Sequence, residues 1–269
     1  MLKVATYNLH SCIDLYGRVN PEKTCKVIAG LKADVIALQE VDVHRSRTAA
    51  LDQPQWLAGR LGMDYCFHAL LTAGHEQYGL AILSAVPLRR VKLGRLPAPA
   101  LKIPSEVRGA MWVRLKTAGG DVHLVNTHLG LRAAERRVQI SALLGKKWLA
   151  RIPPADPVIV CGDFNAGPFS PVYRRLMVRL ADVQNANTGL RFAKPTFFAV
   201  YPVLRLDHIF VSHHFRVLRA AVVTAPPART ASDHLPLLTE LAIKSPLRHA
   251  DEKRLKTALR QLEDNAEPS

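Results

Sequence analysis

Short apolar runs recur along the whole chain, separated by polar stretches that contain Gly and Pro. Continuous or alternating runs of Val, Ile, Leu and aromatic residues are typical of strands that are buried on one or both faces. They predict ten strands, at residues 3–10, 34–41, 64–71, 79–86, 109–116, 121–129, 157–164, 205–212, 216–224 and 236–243. Gly119 and Gly120 lie between two of these runs and predict a hairpin turn.

Helical spacing of apolar residues appears between the strands. It predicts four helices, at residues 21–32, 54–62, 132–151 and 170–180. Strands and helices mixed along one chain predict an α/β fold in which two packed mixed sheets carry helices on their outer faces. We expect residues 1–244 to form this single domain. Residues 245–269 are dense in charge and predict a surface helix or tail.

The charge balance narrows the class of partner. The chain has a formal net charge of +15, which favours nucleic acid, anionic lipid head groups or phosphorylated small molecules. It contains no run of 18 apolar residues, and its first residues, "MLKVATYNLHSC", resemble a strand rather than an export signal. We therefore expect a cytoplasmic monomer without a transmembrane segment.

Six of the apolar segments carry acidic, amide or imidazole groups at or beside their ends. These groups are Asn8, Gln39 and Glu40, Asn126 and His128, Asp163 and Asn165, Asp207 and His208, and Asp233 and His234. A buried carboxylate costs on the order of several kcal/mol unless it is paired, hydrogen-bonded or bound to a metal. If these ends converge, the carboxylates offer hard oxygen ligands for Mg²⁺ or Mn²⁺, and the amides and imidazoles can surround an anion.

Structural alternatives remain open for individual members of this set. Asp163, two places before Asn165, could simply form an Asx turn. Zinc chemistry is disfavoured, because the histidines show no HExxH spacing and the four cysteines form no CxxC pair. The phosphate-binding loops GxxxxGK[ST] and GxGxxG are also missing, as is the GxSxG elbow of serine hydrolases.

The motifs "TYN", "QE", "GDFNA" and "SDH" follow one another in this order along the chain. The ordered set resembles the endonuclease/exonuclease/phosphatase superfamily, which includes deoxyribonuclease I, abasic-site endonucleases, neutral sphingomyelinases and inositol polyphosphate 5-phosphatases. The resemblance runs from Asn8 to His234, and the chain is similar to small bacterial members of the superfamily. It implies a four-layer α/β/β/α sandwich. Abasic-site endonucleases carry an acidic residue where this chain has His10, so the resemblance to that branch is weaker.

The resemblance implies a role for each matching residue around the metal and the water. Glu40 corresponds to the principal metal ligand, and Asn8 lies beside the metal and the phosphate. Asp233 corresponds to an acidic residue near the metal. Asp163 and Asn165 correspond to the pair that orients the attacking water and holds the phosphate.

The remaining matches concern charge and the leaving group. Asp207 and His234 correspond to a carboxylate–imidazole dyad. His128 corresponds to a second histidine, which could protonate the leaving group. Tyr78 and Arg108 lie where the superfamily often places groups that contact phosphate.

Together these features predict a phosphodiesterase dependent on Mg²⁺ or Mn²⁺ that cleaves phosphodiester bonds by in-line attack of an activated water. We expect a nuclease acting on DNA or RNA. The alternative is a phospholipid phosphoesterase, similar to sphingomyelinases or phosphoinositide phosphatases. Two apolar segments, at residues 95–107 and 196–204, could contact lipid, although we interpret both as ordinary packing. A catalytically silent binding module is disfavoured by the complete set of catalytic residue types.

Overall fold

The computed structural model describes residues 1–99, 105–188 and 193–244. Twelve strands lie within these ranges, and all ten predicted strands are among them. They are β1 (Leu2–Asn8), β2 (Val35–Val43), β3 (Asp64–Ala73), β4 (Glu76–Ser84), β5 (Leu88–Arg95), β6 (Gly109–Thr117), β7 (Gly120–His128), β8 (Val158–Asp163), β9 (Ala181–Asp182), β10 (Asp207–Val211), β11 (Phe215–Val222) and β12 (Leu237–Ile243).

The strands form two six-stranded sheets that pack face to face. The first has the order β11-β12-β1-β2-β4-β3, and the second has the order β5-β6-β7-β8-β10-β9. The helices are α1 (Pro21–Leu31), α2 (Gln53–Leu61), α3 (Ala133–Leu144), α4 (Pro171–Met177), α5 (Val183–Thr188) and α6 (Ala228–Ala231). The prediction of an α/β sandwich of two mixed sheets with flanking helices is confirmed.

Three local expectations needed correction. The prediction of one helix over 132–151 was wrong, because α3 ends at Leu144, Gly145 is extended, and only a 3₁₀ turn at Leu149–Arg151 follows. Strand β5 was not predicted, because Arg89, Arg90, Lys92 and Arg95 interrupt its apolar pattern. Strand β9 has two residues, too few for any periodicity to appear.

Each sheet has one pair of parallel strands near its centre, and these pairs determine where the polar strand ends meet. Strand β1 runs parallel to β2, and β7 runs parallel to β8, whereas the other pairings are antiparallel. The carboxyl ends of parallel strands lie at the same edge of a sheet. Asn8 therefore lies beside Gln39, and His128 lies beside Asp163. Strand β10 adds Asp207 directly opposite Asp163.

A buried polar clamp joins the two sheets within their apolar interface. The Asn126 side chain from β7 accepts a hydrogen bond from Nε2 of Gln39 on β2, at 2.8 Å. Its own Nδ2 donates to the carbonyl oxygens of Leu38 (2.9 Å) and Ala81 (3.0 Å), both on the first sheet. Gln39 and Asn126 therefore belong to the sandwich core, although their sequence pattern matched that of the candidate site residues.

No helix among the described residues is long and apolar enough to cross a membrane. The predicted C-terminal helix or tail, at residues 245–269, lies outside the described residues, and the domain boundary at residue 244 stays a prediction.

The clamp gives a testable consequence for stability. The substitution Asn126→Ala should lower the free energy of unfolding by at least about 2 kcal/mol, because it leaves several buried polar groups without partners. Gln55→Ala, an exposed position on α2, should change it by less than about 0.5 kcal/mol. Urea unfolding measures both values. Equal stability of the two variants would show that the clamp does not hold the sheets together.

Candidate active site

Asp163 is the last residue of β8, and its side chain is buried. It lies where the end of β8 in the second sheet contacts Asn8 at the end of β1 in the first sheet. The preceding residue, Gly162, has a φ of +140°, and a Cβ there would lie 1.9 Å from the carbonyl oxygen of Thr127. Only glycine therefore lets β8 stay against β7 at this point. The strand can then deliver the Asp163 carboxylate at a fixed position beside His128.

The two carboxylate oxygens of Asp163 make different contacts. Oδ1 accepts a hydrogen bond from the backbone N–H of Asn165 (2.8 Å), which is the Asx turn considered from the sequence. Oδ2 accepts one from Nδ2 of Asn8 (3.1 Å) and lies 3.4 Å from Nε2 of His128 and 3.7 Å from Nε2 of His234. The Asx turn and the contacts with the other candidate site residues thus use different oxygens of the same carboxylate.

Glu40 reaches the same edge through a β-bulge. Its backbone has a φ of +55°, and the pairing of β2 with β4 shifts register between Leu38 and Val41. A left-handed residue that is not glycine is uncommon in a strand, and bulges often redirect a side chain beside an active site. Nδ2 of Asn8 donates to Oε1 of Glu40 at 2.9 Å, while Oδ1 of Asn8 accepts from the backbone N–H of His10. Asn8 therefore connects Glu40 to Asp163.

Asp207 and His234 form the predicted dyad. Nδ1 of His234 lies 2.8 Å from Oδ2 of Asp207, and both side chains are buried. The ring of Phe197 packs against the imidazole, with 4.9 Å between ring centroids. The hydroxyl of Ser232 donates to the backbone carbonyl of Asn8 and accepts the backbone N–H of His234. These contacts fasten the imidazole to the end of β1.

Opposite electrostatic effects act on His234 and Asp163. Burial alone would lower the pKa of His234, but the carboxylates of Asp207 and Asp163 outweigh burial and raise this pKa to about 10. Burial raises the pKa of Asp163 above the usual range of an aspartate, and the charge of His234 opposes that rise. At neutral pH, His234 is therefore an imidazolium held between two acidic groups.

His128 is in the opposite state. Nη1 of Arg108 lies 2.8 Å from Nδ1 and 3.1 Å from Nε2 of His128, and Nδ2 of Asn165 lies 3.1 Å from Nε2. Arg108 and Asn165 therefore both present N–H groups to the imidazole. Burial and the charges of Arg108 and His234 hold the pKa of His128 well below its usual value, which keeps the ring neutral. Nη2 of Arg108 pairs with Oε2 of Glu106 at 2.9 Å.

Two of the predicted residues lie farther out. Tyr78 is nearly buried beneath Arg45 and Arg47, whose guanidinium carbons are 5.9 Å and 5.5 Å from its ring centre. Burial raises the pKa of its hydroxyl, which therefore stays protonated. Asp233 is half-buried, its Oδ1 lies 3.3 Å from the Ser232 hydroxyl, and its charge raises the pKa of His234.

The structure thus brings most of the predicted site residues into one network of contacts. Its members are Asn8, Glu40, Arg108, His128, Asp163, Asn165, Asp207 and His234. Sequence reasoning missed Glu106, Phe197 and Ser232. Ser232 could have been found from its place in the "SDH" motif, whereas no local pattern indicated that Phe197 packs on the imidazole of His234.

The donor atoms of the site fit a divalent cation. The carboxylates of Asp163 and Asp207 belong to a group of possible ligand atoms that lie within 4.8 Å of one another, and among the described residues Oδ1 of Asp207 is buried without a hydrogen-bond partner. Glu40 adds a partly exposed carboxylate that Asn8 holds in place. Carboxylate oxygens at a polar edge are the ligands that Mg²⁺ and Mn²⁺ prefer.

The neutral state of His128 predicts a loss of stability in acid. Its pKa is lower in the folded chain than in the unfolded chain, where it is about 6.5, so the unfolded state binds the proton first as the pH falls. The contribution is present above that pH and is lost below it, by at most about 1.4 kcal/mol per pH unit. Urea unfolding of the metal-free protein between about pH 7.5 and 5 should show a shallower decline for His128→Gln than for the wild type. Parallel declines would mean that His128 is not held neutral.

Comparisons with known proteins agree with this geometry. Residues 5–234 match the model of the endonuclease/exonuclease/phosphatase family. The chain is 29% identical over 256 residues to the uncharacterized protein YbhP of Escherichia coli K12, covering 89% of this chain and 95% of YbhP. The structure is similar to an endonuclease/exonuclease/phosphatase from Beutenbergia cavernae, with a TM-score of 0.75, 23% identity, and coverage of 91% of this chain and 72% of that one. It is also similar to the mannosyl-6-phosphatase Bt3783 of Bacteroides thetaiotaomicron, with a TM-score of 0.71, 22% identity, and coverage of 90% and 100%. The chain therefore belongs to the endonuclease/exonuclease/phosphatase family.

Proposed function

We propose that this protein is a divalent-metal-dependent phosphodiesterase that cleaves phosphodiester bonds by in-line attack of an activated water. The observation that supports this most strongly is the network that joins Glu40 and Asn8 of the first sheet to Asp163, Asp207 and His234. A phosphodiester is anionic and repels nucleophiles, so its hydrolysis needs an oriented water and positive or hydrogen-bonding groups around the phosphoryl oxygens.

Asp163 is the group that would orient and deprotonate the water. Its Oδ1 is fixed by the turn to Asn165, so Oδ2 can face the cleft without rotating. Asn8 reaches the same oxygen and restricts it further. A carboxylate held in this way loses little freedom when it binds the water, which is the condition for effective general-base catalysis.

His234, His128 and Asn165 would stabilise the charge that develops on the phosphoryl oxygens. Asp207 fixes the ring of His234 through Nδ1, so Nε2 is left for the cleft. The ring of His128 is neutral, which favours a role as a hydrogen-bonding group over the proton-donor role expected from the resemblance. Donors placed in this way contribute roughly 2.7–4 kcal/mol each in comparable sites.

Glu40 is the residue that we assign to hold Mg²⁺ or Mn²⁺, with Asn8 fixing its carboxylate and Asp233 near the cleft. When bound, the metal would polarise a phosphoryl oxygen and neutralise developing charge. Tyr78 and Arg108 complete the proposed phosphate surroundings. The Arg108 guanidinium acts there mainly through His128, whose ring it contacts and helps to keep neutral.

Nucleic acid is the first candidate substrate, since a net charge of +15 favours a polyanion. A phospholipid head group is the second, and one observation favours it specifically. Large apolar side chains between residues 198 and 204 are exposed to solvent beside His234. The similarity to a mannosyl-6-phosphatase makes a sugar phosphate a useful third compound to test.

The assignment of the residues predicts large losses of activity. Asp163→Asn and His234→Ala should each reduce hydrolysis of bis(4-nitrophenyl) phosphate at least about a hundredfold, because each removes a group used in the transition state. Glu40→Ala should abolish the response to added Mg²⁺ or Mn²⁺. Asp121→Asn and His213→Ala, at exposed positions, are matched controls that should retain the activity. Folded Asp163 and His234 variants with near-normal turnover would overturn the assignment.

Salt dependence separates the substrate classes. On duplex DNA, the logarithm of the binding constant should fall with the logarithm of the salt concentration, with a slope of about −0.9 for each phosphate contacted. Binding is measured as a function of salt concentration for plasmid DNA, an abasic oligonucleotide, RNA, sphingomyelin, a phosphoinositide and mannose 6-phosphate. The Glu40→Ala variant is measured with each compound as the control. Absence of oligonucleotide binding at low salt would exclude the nuclease.

A further inference from the structure

A loop at residues 196–204 exposes large apolar side chains directly beside the candidate active site. The exposed fractions of its side chains are 42% for Phe198, 53% for Val200, 80% for Tyr201, 64% for Val203 and 50% for Leu204. The expectation that this segment packs in an ordinary way was therefore wrong for these residues. Neighbouring large apolar groups in contact with water mark a surface that binds something.

Hydrogen bonds to its backbone give the loop a defined conformation. The backbone N–H of Phe197 donates to the carbonyl of Leu204 at 2.9 Å, and the N–H groups of Val203 and Leu204 donate back to the carbonyl of Phe197. The guanidinium of Arg229 donates to the carbonyl of Val200 at 3.0 Å. These bonds fix the backbone in a conformation that directs Tyr201 and Val203 into solvent.

The loop is also attached to the catalytic groups. Its backbone N–H at Ala199 donates to the carbonyl of Asp233 at 2.7 Å. The Phe197 ring, one residue before the exposed tip, packs on the imidazole of His234. A molecule that covers the tip therefore lies next to the cleft.

The composition of the loop indicates the kind of molecule that would cover it. The nine residues "TFFAVYPVL" include no charged side chain, whereas a surface that contacts a nucleic-acid backbone needs Lys or Arg. Val200, Val203 and Leu204 cannot stack on bases, which is how neutral side chains bind single strands. Aliphatic groups together with Phe and Tyr are typical of segments that enter the interface of a bilayer.

Charge outside the loop complements an anionic membrane. The exposed Arg229 lies at the base of the loop, and the whole chain carries a formal net charge of +15. Basic groups near an anionic leaflet strengthen the attachment of an apolar anchor. An apolar tip on a basic protein is the combination that binds such a surface more tightly than either feature alone.

We propose that the 196–204 loop inserts its tip into the head-group region of a bilayer that contains anionic phospholipid. The cleft beside His234 then faces the phosphodiesters of the same surface. Insertion does not require the catalytic chemistry, whereas the choice of a phospholipid as the cleaved molecule rests on the proposed function.

The test uses the full chain without added metal and sedimentation with vesicles of phosphatidylglycerol and phosphatidylcholine in equal amounts. The wild type should sediment with these vesicles and bind more weakly to phosphatidylcholine alone. The double variant Tyr201→Ser/Val203→Ser should bind the mixed vesicles at least about tenfold more weakly, because it removes the most exposed apolar groups. Melting temperatures confirm that each variant is folded.

Val178→Ser is the matched control. Val178 is 80% exposed but follows α4, beside Arg179 and Leu180, which line a cavity with Val158 at the opposite end of β8. This variant should bind vesicles like the wild type. A wild type that does not bind the mixed vesicles, equal binding to both vesicle types, or equal loss in the control and the loop variant would overturn the proposal. So would a loop variant that loses duplex DNA binding but keeps vesicle binding.

The result can be separated from a failure of the proposed function by assaying the wild type on bis(4-nitrophenyl) phosphate. Vesicle binding without hydrolysis of any ester would support the membrane surface and contradict the phosphodiesterase. Hydrolysis without vesicle binding would support the phosphodiesterase and contradict the membrane surface.

Discussion

The buried carboxylate of Asp163 is the constraint on which the rest of the site depends. A carboxylate in this position is costly unless donors surround it. Groups from both sheets surround it: Asn8 of β1 donates a hydrogen bond to Oδ2, and Nε2 of His128, on β7, lies 3.4 Å from the same oxygen. The imidazolium of His234, fixed by Asp207, provides the compensating charge. The groups that make burial of this carboxylate tolerable are also the groups to which we assign the proposed hydrolysis, so in this proposal stability and catalysis depend on the same contacts.

The topology explains how residues so far apart in sequence meet. Each sheet has one central parallel pair, and the carboxyl ends of both pairs lie at the edge that carries Asn8 and Asp163. Antiparallel β10 starts at the same edge and places Asp207 opposite Asp163. Regular pleating of β2 buries Gln39 between the two sheets. The bulge at Glu40 redirects the Glu40 side chain toward Asn8, and it requires an unfavourable backbone conformation.

The sequence was most informative where burial and chemistry coincide. Apolar runs located ten strands, and polar residues at their ends identified the network around Asp163. The same signal also included Gln39 and Asn126, which clamp the sheets, because a buried amide has the same sequence pattern whether it binds a partner strand or a ligand. Strand β5 was missed because its basic side chains face water. The exposure of Tyr201 was missed for the opposite reason: an apolar side chain predicts burial, and only tertiary contacts decide whether a surface covers it.

The net charge and the apolar loop concern binding, whereas the proposed hydrolysis depends on an intact network at Asp163. The protonation states of the two histidines report on that network directly. ¹⁵N NMR of the metal-free protein can follow both rings from about pH 5 to 10. We expect His234 to remain an imidazolium beyond pH 8 and His128 to remain a neutral ring at pH 6. Ordinary titration of both rings near pH 6.5 would contradict the network.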